Sequence, residues 1–287
     1  VYDIPIIHFH DIIIHDFKGG FIMFVGIIGV GNIGSIIADT LSVDGKNLFL
    51  VDRHEYKLQR FAEKGAQTAF DISQLPNYLD VLFIAVKPQD ARKLLKELGS
   101  VDFNVKYIIS TVTGLKISEI DSCFHIPQIV RIMPNIPIAI GKGVVGVAYG
   151  DSLSGNDKKF VNELLAPFGK LVEVKEKLFS AVTALSGSGP AFIFVIVEAL
   201  VDAGMKLGLS YEVSMELILQ TLKGSAELLE NEQKHPGELR HLVTSPAGTT
   251  IEGIYSLEQR GLRGILMQAI QDTYRRACEL SDEQKEV

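Results

Sequence analysis

A short apolar run, residues 23–28, leads without a break into Gly29-Val30-Gly31-Asn32-Ile33-Gly34 and then into a helix-like run, residues 35–41. Few sequences constrain a fold more. Gly29 permits a tight turn, Gly31 lets the backbone approach a pyrophosphate, and Gly34 lets helix and strand pack closely. A second apolar run, residues 48–51, ends on Asp52 and Arg53, eighteen residues after Gly34. An acidic residue there suits the ribose hydroxyls, and an arginine beside it suits a 2′-phosphate. NADH and NADPH both stay open on this reading, and dual use is expected.

Apolar strands and helical patterns go on alternating. Residues 81–86 break at Lys87-Pro88, residues 106–110 run into Thr111 to Gly114, and residues 89–98 have helical spacing. Such alternation predicts a parallel sheet with ligands beyond the carboxyl ends of its strands. Val86, Lys87, Pro88 and Thr113 then share a rim with Asp52 and the glycine loop. Residues 128–133 form a further strand. It is followed by Pro134-Asn135-Ile136-Pro137, a stiff loop in which Asn135 either offers its amide to a ligand or braces its own turn. Residues 143–149 and 171–174 read as late strands flanking a helix at 155–168.

From Lys177 the strand signals cease. Helical patterns cover 179–185, 191–207, 211–230, 249–259 and 262–280, with Ser186-Gly187-Ser188-Gly189-Pro190 as an interruption and Pro190 suited to the first turn of the next helix. Residues 192–200 are apolar nearly all round, which demands burial on all sides and points to a dimer interface. The run 191–197 stops at Glu198 and Asp202, short of a bilayer span. Late in the chain, Val243 to Glu252 turns on small residues into a helix. Thr249 is the expected N-cap, with Glu252 completing a capping box, and the open first turn offers a seat for a carboxylate.

With 47% apolar residues, 22% charged residues and a net charge of −7, the chain carries no basic stripe, so nucleic acid is excluded as a partner. Its two cysteines, Cys123 and Cys278, are too far apart in sequence to suggest a disulfide framework or a metal site. Reduced thiols in the cytoplasm are expected, and no membrane partner. Residues 1–22 hold His8, His10 and His15 but no second ligand pair at zinc spacing and no secretory pattern. They read as an extension of uncertain origin ahead of a domain that starts at Met23.

Five stretches, taken in order, resemble the pyrroline-5-carboxylate reductases. They are the glycine loop, residues 85–89 (Ala-Val-Lys-Pro-Gln), 131–135 (Arg-Ile-Met-Pro-Asn), 185–191 (Leu-Ser-Gly-Ser-Gly-Pro-Ala) and 243–250 (Val-Thr-Ser-Pro-Ala-Gly-Thr-Thr). The resemblance spans about 23–280. It implies a Rossmann-type α/β N-terminal domain, 23–176, followed by an all-α C-terminal dimerisation domain, 177–287. It implies reduction of 1-pyrroline-5-carboxylate to L-proline with NADPH or NADH, in a homodimer whose copies assemble further into a ring, a decamer. By that match Ile28, Gly29, Val30, Gly31, Asn32, Ile33 and Gly34 cradle the pyrophosphate. Asp52 and Arg53 meet the adenosine ribose, and Val86, Lys87, Pro88, Thr113 and Asn135 line the cofactor groove. Glu176 falls beside the substrate ring, and Gly248, Thr249 and Thr250 hold the carboxylate and ring nitrogen, with Thr250 and Glu176 as the catalytic pair. The chain departs from the pattern at Ala247 (usually Gly), His241 (commonly Asp) and Asp52 (often Asn or Ser).

Overall fold

A computed structural model describes residues 23–42, 47–124 and 128–283. The extension at 1–22, with its three histidines, lies outside the described residues. The chain divides into two compact units: one runs to Gly187 and takes up the chain again from Tyr274, and the other is Ser188–Thr273.

Among the described residues the first unit is built on eight strands: β1 (Val25–Ile28), β2 (Leu48–Val51), β3 (Gln67–Ala69), β4 (Tyr78–Ile84), β5 (Asn104–Ser110), β6 (Ile129–Pro134), β7 (Gly143–Tyr149) and β8 (Gly169–Glu173). Their spatial order is β3-β2-β1-β4-β5-β6-β7-β8. The chain order reverses between β1 and β4, and ligands of such sheets bind at that switch point. β1 is buried along its whole length, as is the end of β4, because helices cover both faces. On one face lie α1 (Asn32–Leu41), α2 (Glu55–Ala62) and α5 (Gly155–Leu165), through Ile37, Phe61 and Leu164 among others. On the other lie α3 (Pro88–Leu98) and α4 (Ile117–Asp121), through Leu94, Leu95 and Ile120.

The expected doubly wound parallel sheet is present, with one difference. β7 runs antiparallel to β6, and β8 follows β7 in parallel. Only residues 135–142 join β6 to β7, too few for the crossover that a parallel neighbour requires. The three-residue β3 has no sequence signature of its own.

The helical stretch opens with a 3₁₀ turn at Glu176–Leu178 and α6 (Phe179–Val182). Where the sequence predicts a break, the chain instead makes a π turn, Thr183–Gly187. Thr183 Oγ1 donates to the Phe179 carbonyl at 2.8 Å and Ser186 Oγ to that of Val182 at 2.9 Å. Such back-bonding loosens the α ladder, and Pro190 has no N–H to offer the preceding turn. α7 (Gly189–Lys206), α8 (Tyr211–Glu232), α9 (Pro236–Leu242), α10 (Thr249–Gln259) and α11 (Leu262–Glu283) follow.

α7 is not buried by its own chain, as the expected dimer interface requires. Val197 and Val201 are covered, but Phe194 is 63% and Val195 64% exposed. Joined through the π turn, Glu176–Lys206 is also long and apolar enough to pass for a membrane span by length and composition, although the run 191–197 alone is not. The apolar pattern of this helix therefore records a surface the chain itself leaves uncovered.

Candidate active site

The carboxyl ends of β1, β2, β4 and β5 come level, and the backbone stitches them together. Gly29 N–H donates to Val51 O at 2.8 Å, Ala85 N–H to Ile28 O at 2.8 Å and Thr111 N–H to Ile84 O at 3.0 Å. The three glycines of the loop have three different surroundings. Gly29 has φ +95°, and a Cβ there would stand 2.7 Å from the Ala85 carbonyl oxygen. A Cβ on Gly34 would overlap the Gly29 carbonyl, whereas one on Gly31 would meet nothing within 4 Å. Open space over Gly31 is the room a diphosphate needs. α1 starts there with no side-chain cap and no acidic residue in its first turn. Ile28 and Val30 are buried in the core, so only their backbone can serve a ligand.

Asp52 is buried, and its carboxylate is already engaged. Oδ2 accepts the Val30 N–H at 2.9 Å, Oδ1 accepts the His54 N–H at 2.9 Å, and Lys57 Nζ lies 3.2 Å from Oδ2. The residue read as a ribose ligand thus also pins the glycine loop to the end of β2. Arg53 beside it is exposed and pairs with Asp90 at 3.4 Å.

Farther along the rim, Lys87 is the exposed N-cap of α3 and Pro88 occupies its first turn. Thr113 and Gly114 (φ +83°) form a turn after β5. Asn135 follows β6, and its Oδ1 accepts the Val144 N–H at 2.9 Å, so the carbonyl braces the turn while the amide nitrogen is left to donate. The Glu176 carboxylate is already engaged: its Oε1 accepts the Ile117 N–H at 2.7 Å and Arg131 Nη1 at 3.2 Å. A groove of about 1160 Å³ is bordered by Ile117, Ile129, Tyr149, Lys158, Glu173 and Glu176.

In the second unit, the turn before α10 differs from the expectation in one respect. Gly248, not Thr249, is the N-cap, in extended conformation with no side-chain cap. Thr249 and Thr250 are the first two helical residues. With no cap side chain over it, the first turn keeps its N–H groups available, which suits an anion better than a capping box would. Ala247 before it has φ +57°, a left-handed conformation that favours glycine.

Residues 176–280 match the pyrroline-5-carboxylate reductase dimerisation family, and residues 24–114 match the coenzyme F420-dependent NADP oxidoreductase family. The pyrroline-5-carboxylate reductase of Aquifex aeolicus is 40% identical over 261 residues, covering 90% of this chain and 97% of that protein. That of Methanosarcina acetivorans is 36% identical over 262 residues, covering 89% and 97%. The chain belongs to the pyrroline-5-carboxylate reductase family. Solved structures agree. The Streptococcus pyogenes 1-pyrroline-5-carboxylate reductase superposes with a TM-score of 0.81 at 30% identity, covering 89% of this chain and 98% of that one. The Plasmodium falciparum pyrroline carboxylate reductase with NADP bound gives 0.78 at 30% identity, covering 90% and 98%.

As a pyrroline-5-carboxylate reductase family member, the chain is an NAD(P)H-dependent oxidoreductase that self-associates. A dimerisation region accounts for the uncovered face of α7. Sequence reasoning passed over Arg131, Lys57 and the Arg92–Glu119 pair, in which Arg92 Nη2 lies 2.7 Å from Glu119 Oε1. Arg131 left a signal: an arginine inside the apolar run Ile129-Val130-Arg131-Ile132 must find a carboxylate somewhere.

Proposed function

We propose that the chain reduces 1-pyrroline-5-carboxylate to L-proline, the last step of proline biosynthesis, with its dinucleotide on the sheet's carboxyl rim and its substrate carboxylate at the head of α10 in the second copy of a dimer. One observation carries this reading. α1 and α10 both begin on a glycine N-cap with no capping side chain, so each offers open N–H groups and the positive end of a helix to an anion. The first suits a pyrophosphate, since Gly31 leaves space for it. The second suits a carboxylate flanked by two hydroxyls.

Bound along the rim, NAD(P)H supplies the hydride. The chain's own residues then have to place an electrophilic carbon before it. The cyclic imine is basic enough to arrive protonated, and its iminium carbon is the acceptor. Gly248 and Thr249 hold the carboxylate through the first turn of α10, while Thr250 Oγ1 accepts the iminium N–H and so fixes the ring. Lys87, Pro88, Thr113 and the Asn135 amide line the groove. Asp52 and Arg53 meet the ribose end, where Lys57 balances the Asp52 charge and Arg53, loosely paired with Asp90, favours a 2′-phosphate. We place the enzyme in the cytoplasm, as dimers assembled into a decameric ring.

The decisive assay follows NADPH or NADH absorbance with pyrroline-5-carboxylate. Turnover is expected in the wild type, and Thr250→Ala should lose roughly a hundredfold in kcat/KM, within the range for a lost positioning hydrogen bond. Wild-type kinetics in that variant would remove Thr250 from the site.

A further inference from the structure

Arg131 lies inside β6 between Val130 and Ile132 and is only 5% exposed. A guanidinium there is costly to bury without a partner. Its Nη1 donates to Glu176 Oε1 at 3.2 Å, its Cζ stands 4.6 Å from the Phe179 ring centroid, and its Nε has no partner. Burial pulls the Arg131 guanidinium below its ordinary value, and the Glu176 carboxylate offsets part of that. The same Glu176 oxygen accepts the N–H of Ile117, the first residue of α4.

Residues 111–116, directly ahead of Ile117, run from the end of β5 along the rim and carry Thr113 and Gly114. A second carboxylate secures their far end: Glu119 Oε2 accepts the Lys116 N–H at 3.0 Å, and its Oε1 takes Arg92 of α3. α3 in turn begins at Pro88 on the same rim. The segment that leaves β5 is thus held at its start by the Thr111 N–H to Ile84 O bond and at its far end by two carboxylates, Glu119 on Lys116 N–H and Glu176 on Ile117 N–H.

We infer that Arg131 and Glu176 are a positioning pair: buried Arg131 orients Glu176, which holds Ile117 and so sets residues 111–116 for cofactor binding, rather than touching the substrate ring. This rests on the function proposed above, and cofactor binding without substrate separates the two. NADPH affinity is read from the cofactor's own fluorescence, in a chain with no tryptophan. Glu176→Gln and Arg131→Met are each expected to raise the NADPH Kd about tenfold, equivalent to about 1.4 kcal/mol. The double variant should be no weaker than the worse single one, because both break one linkage. At saturating NADPH, the KM for pyrroline-5-carboxylate should stay at the wild-type value.

Glu176→Gln with wild-type NADPH affinity and a raised substrate KM would overturn the inference and restore a substrate contact. Should Arg131→Met fail to fold, Arg131→Lys is titrated instead, with partial weakening expected and wild-type affinity counting against the pair. A wild-type chain that takes up no NADPH defeats the proposed function itself. Wild-type binding matched by all variants defeats the pair alone.

Discussion

The Asp52 carboxylate reaches across twenty-two positions to accept the Val30 N–H at 2.9 Å, tying the glycine loop to the neighbouring strand. The N–H is buried, so Asp52→Ala strands a donor and leaves Lys57 without its carboxylate. A loss of about 2 kcal/mol is expected in urea denaturation, together with weaker binding of both NADH and NADPH. Asp52→Asn keeps one acceptor and should fall between the two. Unchanged stability in Asp52→Ala would contradict the clamp.

Arg53 offers a guanidinium that is 70% exposed and only loosely held by Asp90. In the proposed pose its removal bears on the 2′-phosphate alone. Arg53→Ala should therefore raise the KM for NADPH about tenfold, the scale of one charged hydrogen bond, and hardly alter that for NADH. Equal changes for the two cofactors would place the phosphate elsewhere.

Gly31 and Gly34 make opposite predictions for the same substitution. Gly34→Ala drives a methyl into the Gly29 carbonyl, so the loop must shift and the protein should be poorly folded or strongly destabilised. Gly31→Ala meets no atom of the chain. It should melt close to the wild type while losing cofactor affinity, because the methyl fills the space over the α1 N-terminus. Thermal melting and NADPH titration of the pair distinguish a packing glycine from a ligand-facing one. A Gly31→Ala protein that binds NADPH normally would move the pyrophosphate off this loop.

Ala247 holds a left-handed conformation at φ +57° just before the threonine turn. For alanine that costs about 1 kcal/mol, while glycine gives back about 0.5–1 kcal/mol through unfolded-chain entropy. Ala247→Gly should thus be neutral or slightly stabilising in thermal melts, with kcat/KM retained. A clearly lower melting temperature would show that the methyl makes a contact worth more than the strain.

Asp157, in the first turn of α5, is held below the usual carboxylate value by Ser154 first and then by Tyr107, whose hydroxyl donates at 2.6 Å. A depressed pKa in the folded state means the contribution is present above the unfolded value near 3.8 and fades as pH falls through the folded value. Asp157→Asn should therefore flatten the decline of stability below about pH 4, as measured by urea midpoints across pH. A curve as steep as the wild type's would assign the acid sensitivity to other carboxylates.

By itself the amino-acid order determined what repeats over short distances. A strand running into Gly29-Val30-Gly31-Asn32-Ile33-Gly34 and the alternation through β4, α3 and β5 declare a dinucleotide fold, because strand and helix periodicities and glycine's freedom act within a few residues. Pro246 to Thr250 likewise announced the start of a helix. Tertiary structure decided the rest. Whether Thr249 or Gly248 caps α10 turns on one residue's backbone angles. That β7 reverses depends on how short the chain from 135 to 142 is in space. Asp52 meeting Val30, and Glu176 meeting both Ile117 and Arg131, join residues 22 to 59 positions apart. No local pattern encodes such pairs, since a buried charge selects its partner only after the sheet has brought distant segments to the same rim.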